Sequence, residues 1–155
     1  AAEIRRRSLD MLNMMRIRDP EEVLEKYPHQ LSGGMLQRIM IGIATAVTPD
    51  LLIADEPTTA IDAITQFEIL DELLRIKREH KVAMVLISHD LNAVSRVADR
   101  IVVLNQGRVV DQGNFHHILH HAADPYTRLL VEKRSAVMRQ YRAVLQGKGD
   151  TSCLN

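Results

Sequence analysis

The spacing of apolar residues changes period several times along the 155-residue chain, and each change marks an element. Ile4, Leu9, Leu12 and Met15 recur at roughly helical intervals, so residues 1–17 are expected to be helical. Arg5, Arg6 and Arg7 form a polar patch on that helix, read as a solvated face, with contact to a partner as the alternative. Asp19-Pro20-Glu21-Glu22 then offers a cap, a proline suited to a first helical position and a capping-box-like acid. That second helix should end near Tyr27-Pro28, because proline disfavours helix in the residue before it. A third helix is expected from Ser32 to about Val47, and Pro49-Asp50 turns the chain into a short apolar strand, Leu51–Ala54. Asp62 is placed to cap a helix from about Ala63 to Glu79. Phe67, Leu70 and Leu74 mark its buried stripe, widened by Ile69, Leu73 and Ile76. Val82–Ile87 is a continuous apolar run rich in β-branched residues, which predicts a second buried strand.

Leu91–Ala98 reads as a further helix and Arg100–Leu104 as a strand. Asn105-Gln106-Gly107 is a turn signal, after which Arg108–Asp111 returns antiparallel. Beyond Gly113 the chain is mostly helix-forming, with Asp124-Pro125 as another cap-and-proline start, and residues 147–155 are expected to be disordered. Strand alternating with helix implies an α/β fold with a mainly parallel sheet flanked by helices.

Composition narrows the class. Hydrophobic residues make up 46% and charged residues 26%, ordinary for a globular domain with a real core. Twenty basic and twenty acidic residues cancel, so no bulk charge draws the chain to nucleic acid or acidic lipid. Cys153 is the single cysteine, which excludes an internal disulfide and makes a reducing compartment the simpler reading. Ile39–Val47, the longest apolar stretch, is too short to span a bilayer, and the first ten residues lack the apolar core of a secretory signal. Membrane association is therefore expected through a partner protein.

Two devices suited to phosphate chemistry lie about twenty residues apart. Ser32-Gly33-Gly34 opens the third helix: serine caps well, and the glycines allow close approach to free amides at the positive end of the helix dipole. Leu51-Leu52-Ile53-Ala54 ends abruptly in Asp55-Glu56, which fits a buried strand delivering two carboxylates to the carboxyl edge of a sheet. Taken singly, the first is an ordinary turn and the second an ordinary strand end; the two in order carry the signal.

Around these devices, Leu31–Arg38, LSGGMLQR, resembles the signature motif of ABC ATPases, usually LSGGQxQR. LLIADEP resembles their Walker B strand, TTAID their D-loop and Ser88-His89-Asp90 their switch-histidine loop. Met35 and Ile61 depart from the commoner glutamine and leucine. Asp124-Pro125-Tyr126-Thr127, followed by Leu129-Leu130, is similar to the segment after the core in the oligopeptide, dipeptide and nickel importer branch.

The resemblance implies a P-loop-type ABC ATPase domain: residues 1–48 as part of the helical subdomain with the signature helix, 49–113 as Walker B to post-switch strands, and 114–155 as a helical extension. It implies hydrolysis of the γ-phosphate of ATP with Mg²⁺. Asp55 would hold Mg²⁺ through water, Glu56 would activate the attacking water, and His89 would contact the γ-phosphate. Ser32, Gly33 and Gly34 would bind the γ-phosphate of a nucleotide held by the opposite subunit. Gln37 is grouped with them, although Gln37 and Arg38 are expected to support the loop rather than touch the nucleotide; Asp62 would signal across the interface. Implied partners are a second ATPase subunit, identical or homologous, docked head to tail, transmembrane permease subunits, and indirectly a substrate-binding protein, with no nucleic acid. The expected location is the cytoplasmic face of the membrane, the expected cargo peptides or nickel-type substrates.

No G-x-x-x-x-G-K-[ST] loop occurs, so the expectation is the C-terminal part of a longer ATPase, inactive alone. Two other classes stay open: a non-transport ABC ATPase of DNA repair or chromosome maintenance, and a non-catalytic interaction fragment. His116, His117, His120 and His121 at i,i+4 spacing read as a polar helix face, with a metal site as the alternative.

Overall fold

The computed structural model describes residues 1–59 and 61–135. Two compact units divide the chain between Ser88 and His89.

The first unit opens with helix α1, Ala2–Met14. Its end is a Schellman turn: the Arg16 amide donates to the Asn13 carbonyl at 2.9 Å and the Ile17 amide to Leu12 at 3.0 Å. Leu12 and Ile17, the apolar pair that such a turn brings together, are both buried in one core. Helix α2 is a single turn, Pro20–Val23. The expected Asp19 cap does not form: Asp19 sits at φ 50°, in the left-handed region, and its side chain accepts no amide. A capping side chain needs an extended backbone to reach the first turn. Glu22 makes no capping box either and pairs with Lys26 at 2.6 Å. After a 3₁₀ turn at Pro28–Gln30 comes helix α3, Gly33–Thr45.

Strand β1, Leu51–Asp55, pairs in parallel with strand β2, Ala83–Ile87, across helix α4, Ala63–Glu79. Leu52 opposes Met84 and Ala54 opposes Leu86, and this face packs on a core of Leu12, Met15, Ile41, Ile69, Leu73 and Ile76. The other face carries Leu51, Ile53, Val85 and Ile87, each 45–62% exposed. The expectation of strands buried on both sides is thus corrected, because within this unit helices cover only one face of the pair. The helix α4 stripe also shifts. Ile69, Leu70, Leu73 and Ile76 are buried, Leu74 is half-buried, and Phe67 is 54% exposed, because the core contacts centre on the 69–73–76 row.

In the second unit, helix α5, Leu91–Val97, is capped by Asp90, which accepts from the Asn92 amide at 2.8 Å. Strands β3, Ile101–Asn105, and β4, Arg108–Gly113, form an antiparallel hairpin. Its two-residue loop has φ 48° at Gln106 and 74° at Gly107, the left-handed pair that matches strand twist. Helix α6, Phe115–His121, follows, and residues 125–135 are helical, with the Tyr126 amide donating to the Asp124 carboxylate at 2.8 Å. Ile118 is buried with Leu91, Ile101 and Val103. The buried Asp111 carboxylate accepts the Ala123 and Asp124 amides at 3.3 and 3.1 Å, which fastens the turn after helix α6 to strand β4. Of the described strands, one pair is therefore parallel and one antiparallel. Cys153 and the expected disorder at residues 147–155 lie outside the described residues.

Candidate functional site

Ser32 stands at φ −68°, ψ 156°, and its hydroxyl accepts the Met35 amide at 3.3 Å. That leaves Gly33 and Gly34 as the first two residues of helix α3, where backbone amides lack partners inside the helix. The three residues line a cleft of about 580 Å³. The same cleft takes in Arg16, Arg18, Arg38, Asp62, Thr65 and Glu68. A Cβ on Gly34 would overlap the Thr65 methyl, so helices α3 and α4 meet here at a distance that only glycine permits. A Cβ on Gly33 would meet nothing within 4 Å, so that residue faces open space.

Asp62 extends the cleft wall and caps helix α4, accepting the Ile64 and Thr65 amides at 3.1 and 3.0 Å. The Thr65 hydroxyl and these amides hold its carboxyl below the ordinary carboxylate range. Arg38 is ion-paired with Glu68 across helices α3 and α4. Gln37 is half-buried one position before it and is not among the residues lining the cleft.

The acid pair lies elsewhere. Asp55 ends strand β1, exposed, and Glu56 leaves the strand at φ 46°, a strained position for a residue with a side chain. Its amide donates to the Ile87 carbonyl at 2.9 Å, so the turn hangs from the end of strand β2. The Thr59 hydroxyl donates to Glu56 Oε2 at 2.9 Å. Neither Asp55 nor Glu56 lines the cleft at helix α3. His89 opens the second unit, directly before the cap of helix α5.

The structure thus brings Ser32, Gly33, Gly34 and Asp62 to one cleft and carries Asp55 and Glu56 at the strand end. Sequence reasoning missed Arg16, Arg18, Thr65, Glu68 and Thr59. The spacing of Asp62 and Thr65, a cap and its third residue, was the one local signal available. On helix α6 the four imidazoles cluster, His116 lying 4.7 Å from His120 and His117 5.9 Å from His121 between ring centres. Among the described residues no group of three or more His, Cys, Asp or Glu is arranged to hold a metal, and no helix is long and apolar enough to cross a membrane.

A glycine-opened helix beside a capped arginine-lined cleft, and a parallel strand ending in two acids, are the parts of a nucleotide-handling α/β protein. Residues 3–59 match the family model described as ABC transporter, and the chain carries part of an ATP-binding cassette of that family. It is 41% identical over 145 residues to the metal-staphylopine import system ATP-binding protein CntD of Staphylococcus aureus, covering 94% of this chain and 54% of that protein. It is 49% identical over 127 residues to the dipeptide transport ATP-binding protein DppD of Escherichia coli, covering 82% and 39%. The chain thus spans about half, or less, of the curated relatives it matches. Among solved structures, the dimeric post-hydrolysis state of the ATP-binding cassette MJ0796 bound to ADP and Pi superposes with a TM-score of 0.64 at 32% identity, covering 74% of this chain and 48% of that one.

Proposed function

We propose that the chain is the signature-and-Walker-B part of an ATP-hydrolysing importer subunit, coupled to uptake of peptides or nickel-type substrates. The observation that carries this reading is the separation of the two devices. The glycine-opened cleft contains Ser32, Gly33, Gly34 and Asp62 but neither Asp55 nor Glu56. A site that needs both kinds of group is then completed between two subunits arranged head to tail. The amides at the start of helix α3 stabilise the γ-phosphate oxygens of the partner's nucleotide through hydrogen bonds and the helix dipole. Glu56 accepts a proton from the attacking water, and His89 contacts the γ-phosphate. Asp62 links the cleft to the neighbouring subunit, and Gln37 supports the loop from behind.

A single exposed carboxylate at a strand end suits Mg²⁺, which prefers oxygen and keeps several of its waters. Asp55 would hold it through water, and the ion would neutralise charge on the phosphates. The 155 residues alone turn ATP over negligibly, since the loop that cradles the β-phosphate is not among them. The subunit works as a peripheral protein on the cytoplasmic membrane face, bound to permease subunits. Names of the relatives support the importer branch: one serves dipeptide transport and another metal-staphylopine import.

Mixing two inactive variants tests the shared site. The protein is this chain preceded by a segment bearing a G-x-x-x-x-G-K-[ST] loop. Ser32→Arg breaks the cleft and Glu56→Gln removes the base. If sites form between subunits, mixing the two restores hydrolysis, because one site of each mixed dimer keeps both parts. No restoration under conditions that mix subunits would show each site to lie within one chain.

A further inference from the structure

We propose that Thr59 is a positioning residue that fixes the Glu56 carboxylate through its hydroxyl; the inference rests on the reading of Glu56 as the base that activates water. The backbone of the Glu56 turn is anchored at both ends. The Glu56 amide donates to the Ile87 carbonyl at 2.9 Å, and the Glu56 carbonyl accepts the Thr59 amide at 3.2 Å. This closed turn holds Glu56 at φ 46°, a conformation kept at the cost of strain.

Anchoring the backbone leaves three side-chain torsions between it and the carboxylate. The Thr59 hydroxyl restrains these torsions by donating to Oε2 at 2.9 Å. Threonine suits this task because its β-branch restricts χ1, so the hydroxyl is held on the side of the turn that faces Glu56. Donation to a charged acceptor is stronger than donation to a neutral one. A tight turn of four residues therefore carries both the base and the group that aims it.

Two readouts test this. In the longer protein bearing a G-x-x-x-x-G-K-[ST] loop, Thr59→Val lowers kcat about tenfold with KM for ATP within about twofold, and Thr59→Ser restores the rate. In the Glu56→Gln background, Thr59→Val causes no further loss of the residual single-turnover rate. Wild-type kcat in Thr59→Val, with Glu56→Gln inactive, would overturn the role of Thr59 alone. An equal loss on Thr59→Val with and without Glu56 would overturn it too. Unchanged turnover in Glu56→Gln would instead overturn the assignment of Glu56 as base.

Discussion

Arg16 occupies a position that glycine would fill at lower energy. It stands at φ 53° as the left-handed residue of the turn that closes helix α1, where a Cβ costs roughly 1 kcal/mol. Arg16→Gly is expected to stabilise the chain by about 1 kcal/mol with an unchanged urea m-value, read by equilibrium unfolding. Asp62 shows the opposite case, a residue matched to its place. Its folded carboxyl titrates below the unfolded value of about 3.9, since the Thr65 hydroxyl and two amides favour the ionised form. The stability it contributes is therefore full above the unfolded value and lost as pH falls through the folded one. Asp62→Ala should lower the urea midpoint at pH 7, and the gap from wild type should close as pH falls below the unfolded carboxylate value. The Asp62 cap was legible in sequence because a cap is a local matter of one acid before an apolar-periodic run. Asp19 carried the same local pattern and failed, because its backbone is left-handed rather than extended. The left-handed Arg16 left no trace, since no glycine marked the spot.

Helices and strands were mostly legible as elements, because apolar period is a local property. What they bury was less so. Strand β1 reads as uniformly apolar, yet Leu52 is 8% exposed and Ile53 62%, a difference decided by which helices cover which face. Phe67 suits the stripe of helix α4 by size, but the contacts that form are those of Ile69, Leu73 and Ile76. Two features between elements were invisible to periodicity. Glu72 lies on the buried side of helix α4, its side chain 7% exposed, because Arg75 pairs with it. Arg75 also donates to the Met14 carbonyl at 2.9 Å, tying helix α4 to the end of helix α1. Glu72 raises the Arg75 guanidinium above its ordinary range. Arg75→Leu leaves the Glu72 charge buried alone and should cost about 2 kcal/mol, while Glu72→Leu with Arg75→Met recovers at least half of that in thermal unfolding. Gly42 is the second feature. A Cβ there would overlap Met11 Sδ and lie 2.8 Å from Met15 Cγ, where helices α1 and α3 touch. Gly42→Ala should therefore destabilise by about 1 kcal/mol despite alanine's better helix propensity, and a urea midpoint checks the sign.

At the scale of the molecule, the chain supplies a cleft made by the start of helix α3 and the Asp62 turn, and separately a strand that ends in two acids. The order of the motifs along the chain made the family legible, because the four motifs are each short and locally encoded. The distribution of their residues over separate surfaces was not legible, since spacing along a chain says nothing of which ends face one way. That distribution is what gives the ATPase reading its physical content. Its most direct test is steady-state ATP hydrolysis by the 155-residue chain beside the longer protein bearing a G-x-x-x-x-G-K-[ST] loop, each with and without Glu56→Gln. The account predicts turnover only in the longer wild type, with a loss of at least about a hundredfold on Glu56→Gln. Hydrolysis by the short chain that disappears on Glu56→Gln would contradict it, because phosphate would then be held by residues assigned no such part.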